Sequence, residues 1–447
     1  MRRAVALRPR IGIVGTFDVS NYGDLLFPLL AAHELEQRLG PIELVRYSYR
    51  TVDNGSWAYD VRSVGRFGRD VGELDLVLVG GGDLIRFDED VAPGYTPTEP
   101  YIQHPTGYWL MPTLVAASAG VPVVWNAVGV VRTPPEREAT LLALATQVVD
   151  YLAVRDEPSR ARLGESSVAA QSVPDTAFGL RVLLGGDEAS AASRVLLKRA
   201  GVEGRYVIVQ PSPHLTPFSR EIADAVSAVS GRDWRAVELP VSAGLGDGPA
   251  ALSLDDAVAR FPEWPLPLVT AQVVAGAEAV IAQSLHLSIT ALTAGVPVFR
   301  RRSASGSKYE LLETFPDVHV WERAAELADL VGACAGRRSV SPGVVERERA
   351  LAAHWDAVAA LVRRSRSAQP DIAVRLAALA AENAVDADRL EGRLQLADRR
   401  SHELDAERAR LEASYREVLH TRTWRYTAGL RRVAAGVRRV IRRHGAS

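Results

Sequence analysis

The feature that most constrains this chain is the segment Leu74–Val79, which turns continuously apolar and runs straight into Gly80, Gly81, Gly82 and Asp83. A strand that is apolar on both faces must be covered on both, which calls for a parallel sheet with helices on either side. Three residues without side chains at its end make a tight turn, or let a ligand approach the backbone closely. The pattern of strand, turn and helix recurs. Ile11–Gly15, Ile42–Tyr47, Val121–Ala127, Tyr151–Val154 and Val168–Val173 have the composition of further strands. Leu25–Leu39, stopped by Gly40 and Pro41, and Glu136–Val149 have helical spacing. A second series follows the Gly185-Gly186-Asp187 break. Its strands are Tyr206–Gln210, Arg235–Leu239, Ala279–Ala282 and Val296–Phe299, with helices at Arg220–Val229 and Leu287–Ala294.

The fold class expected is therefore α/β, with two successive Rossmann-like domains. At 447 residues the chain is about three times the usual domain size of roughly 150 residues, which leaves room for an appendage. The expected boundaries are 1–183 and 184–368 for the two domains, 369–420 for a long helix or coiled coil, and 421–447 for a basic amphipathic tail. Loops at the C-terminal ends of parallel strands converge on the cleft between such domains, so a site is expected there.

Charge and cysteine content narrow the function classes. With 53 Lys+Arg against 54 Asp+Glu, no global polycation favours nucleic acid, and no nucleic-acid partner is expected. A single cysteine, Cys334, excludes an intramolecular disulfide framework and a cysteine-cluster metal site. The arginine-bearing start, Met1–Arg10, leads into an apolar run soon broken by Gly15 and Asp18, unlike a signal peptide. No stretch of about 18 apolar residues occurs. A cytoplasmic body is expected.

After Pro370 the 77 remaining residues hold no proline. Leu376, Asn383, Leu390, Ala397, Leu404, Leu411 and Val418 recur every seventh position, beside a second, imperfect row. Either a homodimeric coiled coil through 371–420 or a single helix folded back on the body fits this row. From Thr421 onward eight arginines and no acid alternate with Trp424, Tyr426, Leu430 and Ile441. Such a helix can lie on an anionic membrane surface, peripheral to the inner face of the plasma membrane; a solvated tail is the other reading.

Several residues could carry chemistry. The loop Gly15–Asp24 joins the first strand to the first helix but has neither GxGxxG spacing nor a Walker lysine, so nicotinamide binding and nucleotide hydrolysis are unsupported. Asn21 and Asp24 could hold ligand or merely cap the helix. His286 follows a short buried strand near a helix start, where it could donate a proton, bind phosphate or simply cap. Lys308, beyond a Gly/Ser-rich loop, could add positive charge. Asp24, Asp83 and His286 show no local metal-ligand spacing, and no metal is expected.

Five motifs occur in one order: Asn21-Tyr22-Gly23-Asp24, Gly80-Gly81-Gly82-Asp83, Val154–Ser159, Pro174-Asp175 and Ser284–Phe299. In this order residues 10 to 330 resemble the polysaccharide pyruvyl transferase family. The resemblance implies a two-domain, GT-B-like fold. It also implies transfer of a pyruvyl group from phosphoenolpyruvate to a sugar diol of a cell-surface polysaccharide or its lipid-linked precursor, giving a cyclic ketal. Phosphoenolpyruvate is then the donor substrate, a glycan or lipid-linked glycan the acceptor, and no cofactor is needed. By the same resemblance His286 does acid or phosphate-binding work and Asp24 or Asp83 orients acceptor hydroxyls or acts as base. Asn21, Gly81, Gly82, Arg155, Ser284 and Lys308 bind substrate, Lys308 on the donor anion and Arg155 on its carboxylate.

One departure stands out. Members of the family commonly carry arginine two residues before the histidine, where this chain has Ser284; Arg300, Arg301, Arg302 or Lys308 would have to substitute. A GT-B glycosyltransferase using a nucleotide-sugar and a non-catalytic glycan-binding scaffold are the alternatives. The tail Thr421–Ala428 is similar to an arginine-threonine-tryptophan-arginine element that follows a coiled coil in bacterial cell-surface glycosyltransferases, which implies attachment to a membrane-associated assembly system.

Overall fold

Short runs rich in valine, isoleucine and leucine build two all-parallel sheets. In the computed structural model the first sheet holds β1 (Arg10–Val14), β2 (Glu43–Ser48), β3 (Arg62–Ser63), β4 (Leu76–Val79), β5 (Val123–Val128), β6 (Tyr151–Val154) and β7 (Gln171–Ser172). Their order is β3-β2-β1-β4-β5-β6-β7. The second sheet holds β8 (Tyr206–Val209), β9 (Arg235–Glu238), β10 (Ala259–Arg260), β11 (Ala279–Ile281), β12 (Val298–Arg301) and β13 (Val318–Trp321), in the order β10-β9-β8-β11-β12-β13. Both sheets are doubly wound: the chain builds outward on one side of a central strand, then crosses to the other side. The reversals lie between β1 and β4, where Ile11 pairs with Leu76, and between β8 and β11, where Val207 pairs with Ala279. Crevices open at such points, beyond the strands' C-terminal ends.

The structure describes residues 8–55, 57–87, 105–230, 234–242, 247, 252, 258–261, 264–303, 308–363, 396–397, 399–414 and 427. Its contacts divide the chain into two compact units, 1–373 and 374–447. The first unit contains both sheets, two Rossmann-like α/β domains in a GT-B-like arrangement. An apolar core is continuous between them, from Ile11 and Phe178 to Ile208 and Val280. The first helix, Tyr22–Leu39, packs on the helices Pro267–Gly276 and Leu285–Thr293 of the second domain. At this seam the Tyr22 and Thr290 hydroxyls are 2.8 Å apart, and the Tyr22 amide donates to the Val241 carbonyl. A closing helix, Pro342–Arg363, returns to the first domain and packs on the first helix. Its Arg347 guanidinium covers the rings of Phe178 and Phe315, one from each domain.

Two local expectations need correction. The first helix begins at Tyr22 rather than Leu25, so it takes in most of the Asn-Tyr-Gly-Asp motif. Val168–Val173 is not a full strand: Gly164–Val168 forms a 3₁₀ turn with Val168 exposed, and only Gln171 and Ser172 pair with β6. Apolar composition at a sheet edge with one neighbour is not sufficient for a long strand.

In the second unit residues 399–414 are helical and their side chains are exposed. Leu404 and Leu411, one heptad apart, are 54% and 65% exposed. The other heptad positions Leu376, Asn383, Leu390 and Val418, and the tail 421–447 apart from Thr427, lie outside the described residues. Among the described residues no helix is long and apolar enough to cross a membrane.

Candidate functional site

Four turns meet where the two reversal points face each other: those after β1, β4, β8 and β11. The turn after β1 supplies Thr16, Asn21 and Asp24. Asn21 occupies the N-cap position of the first helix, yet its side chain makes no capping bond. Its amide instead donates to Asp24 Oδ2 at 2.9 Å, and Thr16 Oγ1 donates to the same oxygen at 2.7 Å. Four residues further on, Pro28 has no N–H to offer the Asp24 carbonyl, so the helix lacks a rung at the residue that bears the carboxylate. Burial pushes Asp24 above the usual carboxylate range, against the pull of His286, Thr16 and Lys308.

The glycine turn after β4 is shaped by what crowds it. Gly80 and Gly82 have φ of +111° and +76°, conformations that L side chains rarely adopt. A Cβ on Gly81 would come within 2.8 Å of the Phe27 ring, and one on Gly82 within 3.0 Å of Asp24 Oδ1. The turn therefore places bare backbone against the Asp24 carboxylate. Asp83, at its end, accepts from Arg155 through Oδ1 and from Lys308 through Oδ2. Burial would raise its pKa, but these two cations hold it far below the usual range.

Arg155 ends β6 and is 5% exposed on its side chain; besides Asp83 it donates to Asp156 at 3.2 Å and lies 3.8 Å from Asp175. Those three carboxylates outweigh the effect of burial and raise its pKa. Lys308 comes from the second domain, so the Asp83–Lys308 pair spans the seam. Burial lowers the pKa of Lys308 and Asp83 raises it, with the carboxylate prevailing. Rather than a solvated surface group, Lys308 is a paired cation.

His286 lies in the first turn of the helix Leu285–Thr293, whose N-cap is Ser284; the Ser284 hydroxyl accepts from the Leu287 amide at 3.3 Å. The imidazole crosses the seam. It stands edge-on to Phe27 with ring centroids 5.3 Å apart, and a Cβ on Gly23 would lie 1.8 Å from Nδ1. Gly23 is thus the absence of a side chain that lets the histidine in. Nε2 is 3.4 Å from Asp175 Oδ2, buried and outside hydrogen-bonding geometry. Burial would raise Asp175, but His286 and Arg155 bring it below the usual range.

Of the residues singled out from the sequence, Asn21, Asp24, Gly81, Gly82, Asp83, Ser284 and His286 fall on the turns after β1, β4 and β11 and the helix starts that follow them, while Arg155 follows β6 and Lys308 follows β12; both reach the same place through Asp83. Asp175 was not among them. It caps the 3₁₀ helix Thr176–Leu183, accepting from the Ala177 amide at 3.0 Å through Oδ1, and turns Oδ2 to His286. The Pro174-Asp175 motif contains it, but its pairing with a histidine more than 100 residues away leaves no local trace. Gln210, after β8, was also missed: its Oε1 accepts from the amides of both Gln283 and Ser284, fixing the turn before the histidine. Beside Arg155 and Lys308 opens a cavity of about 710 Å³, lined also by Pro174, Glu310 and Arg347. Such a volume suits a small-molecule substrate. Among the described residues no group of three or more His, Cys, Asp or Glu side chains is placed to hold a metal ion.

A family model described as polysaccharide pyruvyl transferase matches residues 21–300. The chain belongs to the polysaccharide pyruvyl transferase family. The matched segment includes Asn21, Asp24, Gly81, Gly82, Asp83, Arg155, Asp175, Gln210, Ser284 and His286, while Thr16, Lys308 and the cavity-lining Glu310 and Arg347 lie outside it. No curated protein matches the chain. Among solved structures this pyruvyl transferase family member is similar to a UDP-GlcNAc 2-epimerase from Methanocaldococcus jannaschii, with 10% identity and a TM-score of 0.47 over 76% of this chain and 98% of that one. It is also similar to the UDP-GlcNAc 2-epimerase of Neisseria meningitidis bound to UDP-GlcNAc, with 13% identity, TM-score 0.48 and coverage of 77% and 99%. Anabaena HepE in complex with UDP-glucose gives 12% identity, TM-score 0.43 and coverage of 84% and 99%.

Proposed function

We propose that this protein transfers the pyruvyl group of phosphoenolpyruvate to two hydroxyls of a sugar in a cell-surface glycan or its lipid-linked precursor. The product is a cyclic ketal, and inorganic phosphate leaves. The observation that carries the reading is the placement of His286, Asp24 and Lys308 around the facing turns of two domains, in a chain of this family.

The reaction needs an acid for the methylene carbon of the enol phosphate. Protonation there generates an oxocarbenium-like carbon, which a sugar hydroxyl attacks while losing its proton. The C–O bond to phosphate then breaks, and a second hydroxyl closes the ketal. His286 is assigned the acid role, with the Asp175 carboxylate 3.4 Å from its Nε2. Asp24 is assigned the base role. Its raised pKa makes it a better proton acceptor than an ordinary carboxylate, Thr16 and Asn21 fix Oδ2, and Oδ1 faces the bare turn at Gly82. Asp83, with its depressed pKa, is a poor base. It holds Arg155 and Lys308 in position, and Lys308 meets the donor carboxylate.

Calorimetric titration with phosphoenolpyruvate, alongside nucleotide-sugars, tests this reading. Saturable phosphoenolpyruvate binding is expected, with acceptor-dependent phosphate release falling about 100- to 10,000-fold in His286→Ala. Binding of nucleotide-sugar without phosphoenolpyruvate would move the assignment to glycosyl transfer. Glycan binding with no turnover would leave a scaffold.

A further inference from the structure

Two buried arginines stand near the site, and the fold treats them differently. Arg155 is surrounded by carboxylates. Arg300, at the C-terminal end of β12 and 1% exposed, has no carboxylate at ion-pair distance among the described residues. Its Nη2 donates to Ser303 Oγ at 3.0 Å and, less closely, to Gln283 Oε1 at 3.3 Å. Nε and Nη1, and Gln283 Nε2, are buried and have no hydrogen-bond partner among the described residues. Three buried donor groups without an acceptor carry a desolvation cost that native folds seldom leave uncompensated. Burial lowers the Arg300 pKa more than Glu313 and Tyr309 restore it, which is the signature of a cation short of negative charge.

The position relates these donors to the site. Gln283 directly precedes Ser284, the N-cap of the His286 helix, and its amide is held by Gln210. The Arg300 guanidinium and Lys308 Nζ each lie 5.1 Å from the centre of the same Tyr309 ring. Lys308 in turn binds Asp83. Arg300 is thus linked through Tyr309 to Lys308 and through Gln283 to the turn that starts the His286 helix.

We infer that Arg300 and Gln283 form an oxyanion subsite that takes the phosphate of the donor. A phosphate there uses Nε and Nη1 of Arg300 and Nε2 of Gln283, and displaces the 3.3 Å contact between the two side chains. The inference rests on the phosphate-donor reading of the site. Its ligand chemistry, a phosphate oxyanion, is shared by phosphoenolpyruvate and by a nucleoside diphosphate.

The test is calorimetry on the full chain with inorganic phosphate, phosphoenolpyruvate and uridine diphosphate. Arg300→Gln removes the charge. Gln283→Glu keeps the arginine and gives it a carboxylate partner, so it is expected to fold at least as stably as the parent while blocking an incoming anion. Both variants are expected to weaken phosphate and phosphoenolpyruvate binding about 10- to 100-fold, the range of charge-assisted hydrogen bonds. Arg301→Gln, whose parent guanidinium lies over the Phe218 ring, is expected to bind as the wild type does. Unchanged phosphoenolpyruvate affinity in a folded Gln283→Glu would overturn the subsite and leave pyruvyl transfer standing. Uridine diphosphate binding that depends on Arg300, without phosphoenolpyruvate binding or turnover, would keep the subsite and reject pyruvyl transfer. No binding of any of the three anions by the wild type would reject the subsite.

Discussion

Asp24, in the first turn of a helix, and Asp83, on a loop, are both aspartates beyond the C-terminal ends of strands of one sheet, and their surroundings drive them apart. Two cations hold Asp83 down, whereas burial pushes Asp24 up against the pull of His286, Thr16 and Lys308. A carboxylate whose folded pKa is raised contributes stability below its unfolded pKa, near 4, and loses that contribution as pH rises through the folded value. At neutral pH, Asp24 therefore costs stability. Asp24→Asn is expected to melt higher than the wild type, by a margin that grows above about pH 4 and levels off once Asp24 has ionised, while turnover is lost. A lower melting temperature at pH 8 would mean that the carboxylate is structural. Gly23 makes a separate test. In a helix interior Gly→Ala is worth about 1 kcal/mol in favour of alanine, and Gly23, in the first turn, gains less than that from propensity. Here the new Cβ would lie 1.8 Å from His286 Nδ1, so the imidazole must move. Gly23→Ala is expected to cost about 1–3 kcal/mol of stability by overpacking and to lower turnover at least as much as a displaced acid would. Retained activity would remove His286 from the chemistry.

The elements that were legible in the sequence are those with a single, strong local cause. β1, β4, β6 and β8 are apolar runs ended by a glycine, an arginine or a glutamine, and each lies within two residues of its expected place. The helix Pro267–Gly276 was not legible. It is apolar all round, packed between the first helix and the Asp187–Arg199 helix, and so shows no period of 3.6. The closing helix Pro342–Arg363 presents a further case, because its partners come from strands far away in sequence. His354 is 2% exposed, its Nε2 lies 2.8 Å from Asn126 Oδ1 of β5, and Nδ1 lies 3.3 Å from the Tyr151 hydroxyl of β6. Burial, with Arg38 nearby, pushes its pKa down to about 3. The neutral ring is thus part of the fold, and its stabilisation is present above the unfolded pKa of about 6.5 and is lost as pH falls toward the folded value. Over that window this residue alone steepens the acid loss of stability by up to about 1.4 kcal/mol per pH unit. His354→Gln, which keeps a hydrogen-bonding side chain without a titrating ring, is expected to flatten the dependence of melting temperature on pH between 6.5 and 4. An unchanged slope would show that the ring is not buried as a neutral group. The same distance in sequence hid the site's pairings. Asp175 and His286 have ordinary local explanations, and only the seam shows that they face each other.

At the scale of the molecule the chain divides into a unit that carries the proposed chemistry, 1–373, and a unit, 374–447, whose described helix packs its apolar residues against nothing of its own. Leu404 and Leu411 are more than half exposed at heptad spacing, on a helix that also carries an i,i+4 Arg408–Glu412 pair. We propose that a second copy of the chain covers these leucines as a homodimeric coiled coil, the arrangement that the seven-residue row suits. The adjoining sequence adds eight arginines and no acid between 421 and 447. Each arginine near an anionic bilayer contributes about 1 kcal/mol, so two copies side by side bind far more tightly than one. Association and surface attachment are then linked. The full chain is expected to sediment as a dimer and to pellet with anionic vesicles. Leu404→Glu combined with Leu411→Glu is expected to give a monomer with an unchanged melting temperature for the first unit and weaker vesicle binding. A chain ending at residue 420 is expected to stay dimeric but remain in the supernatant. If the double variant alters neither mass nor vesicle binding, the leucine row does not join two copies; if truncation changes nothing on anionic vesicles, the basic segment is a solvated tail. Phosphoenolpyruvate binding is expected to be the same in all three proteins, because Asp24, His286, Lys308 and Arg300 all belong to the first unit.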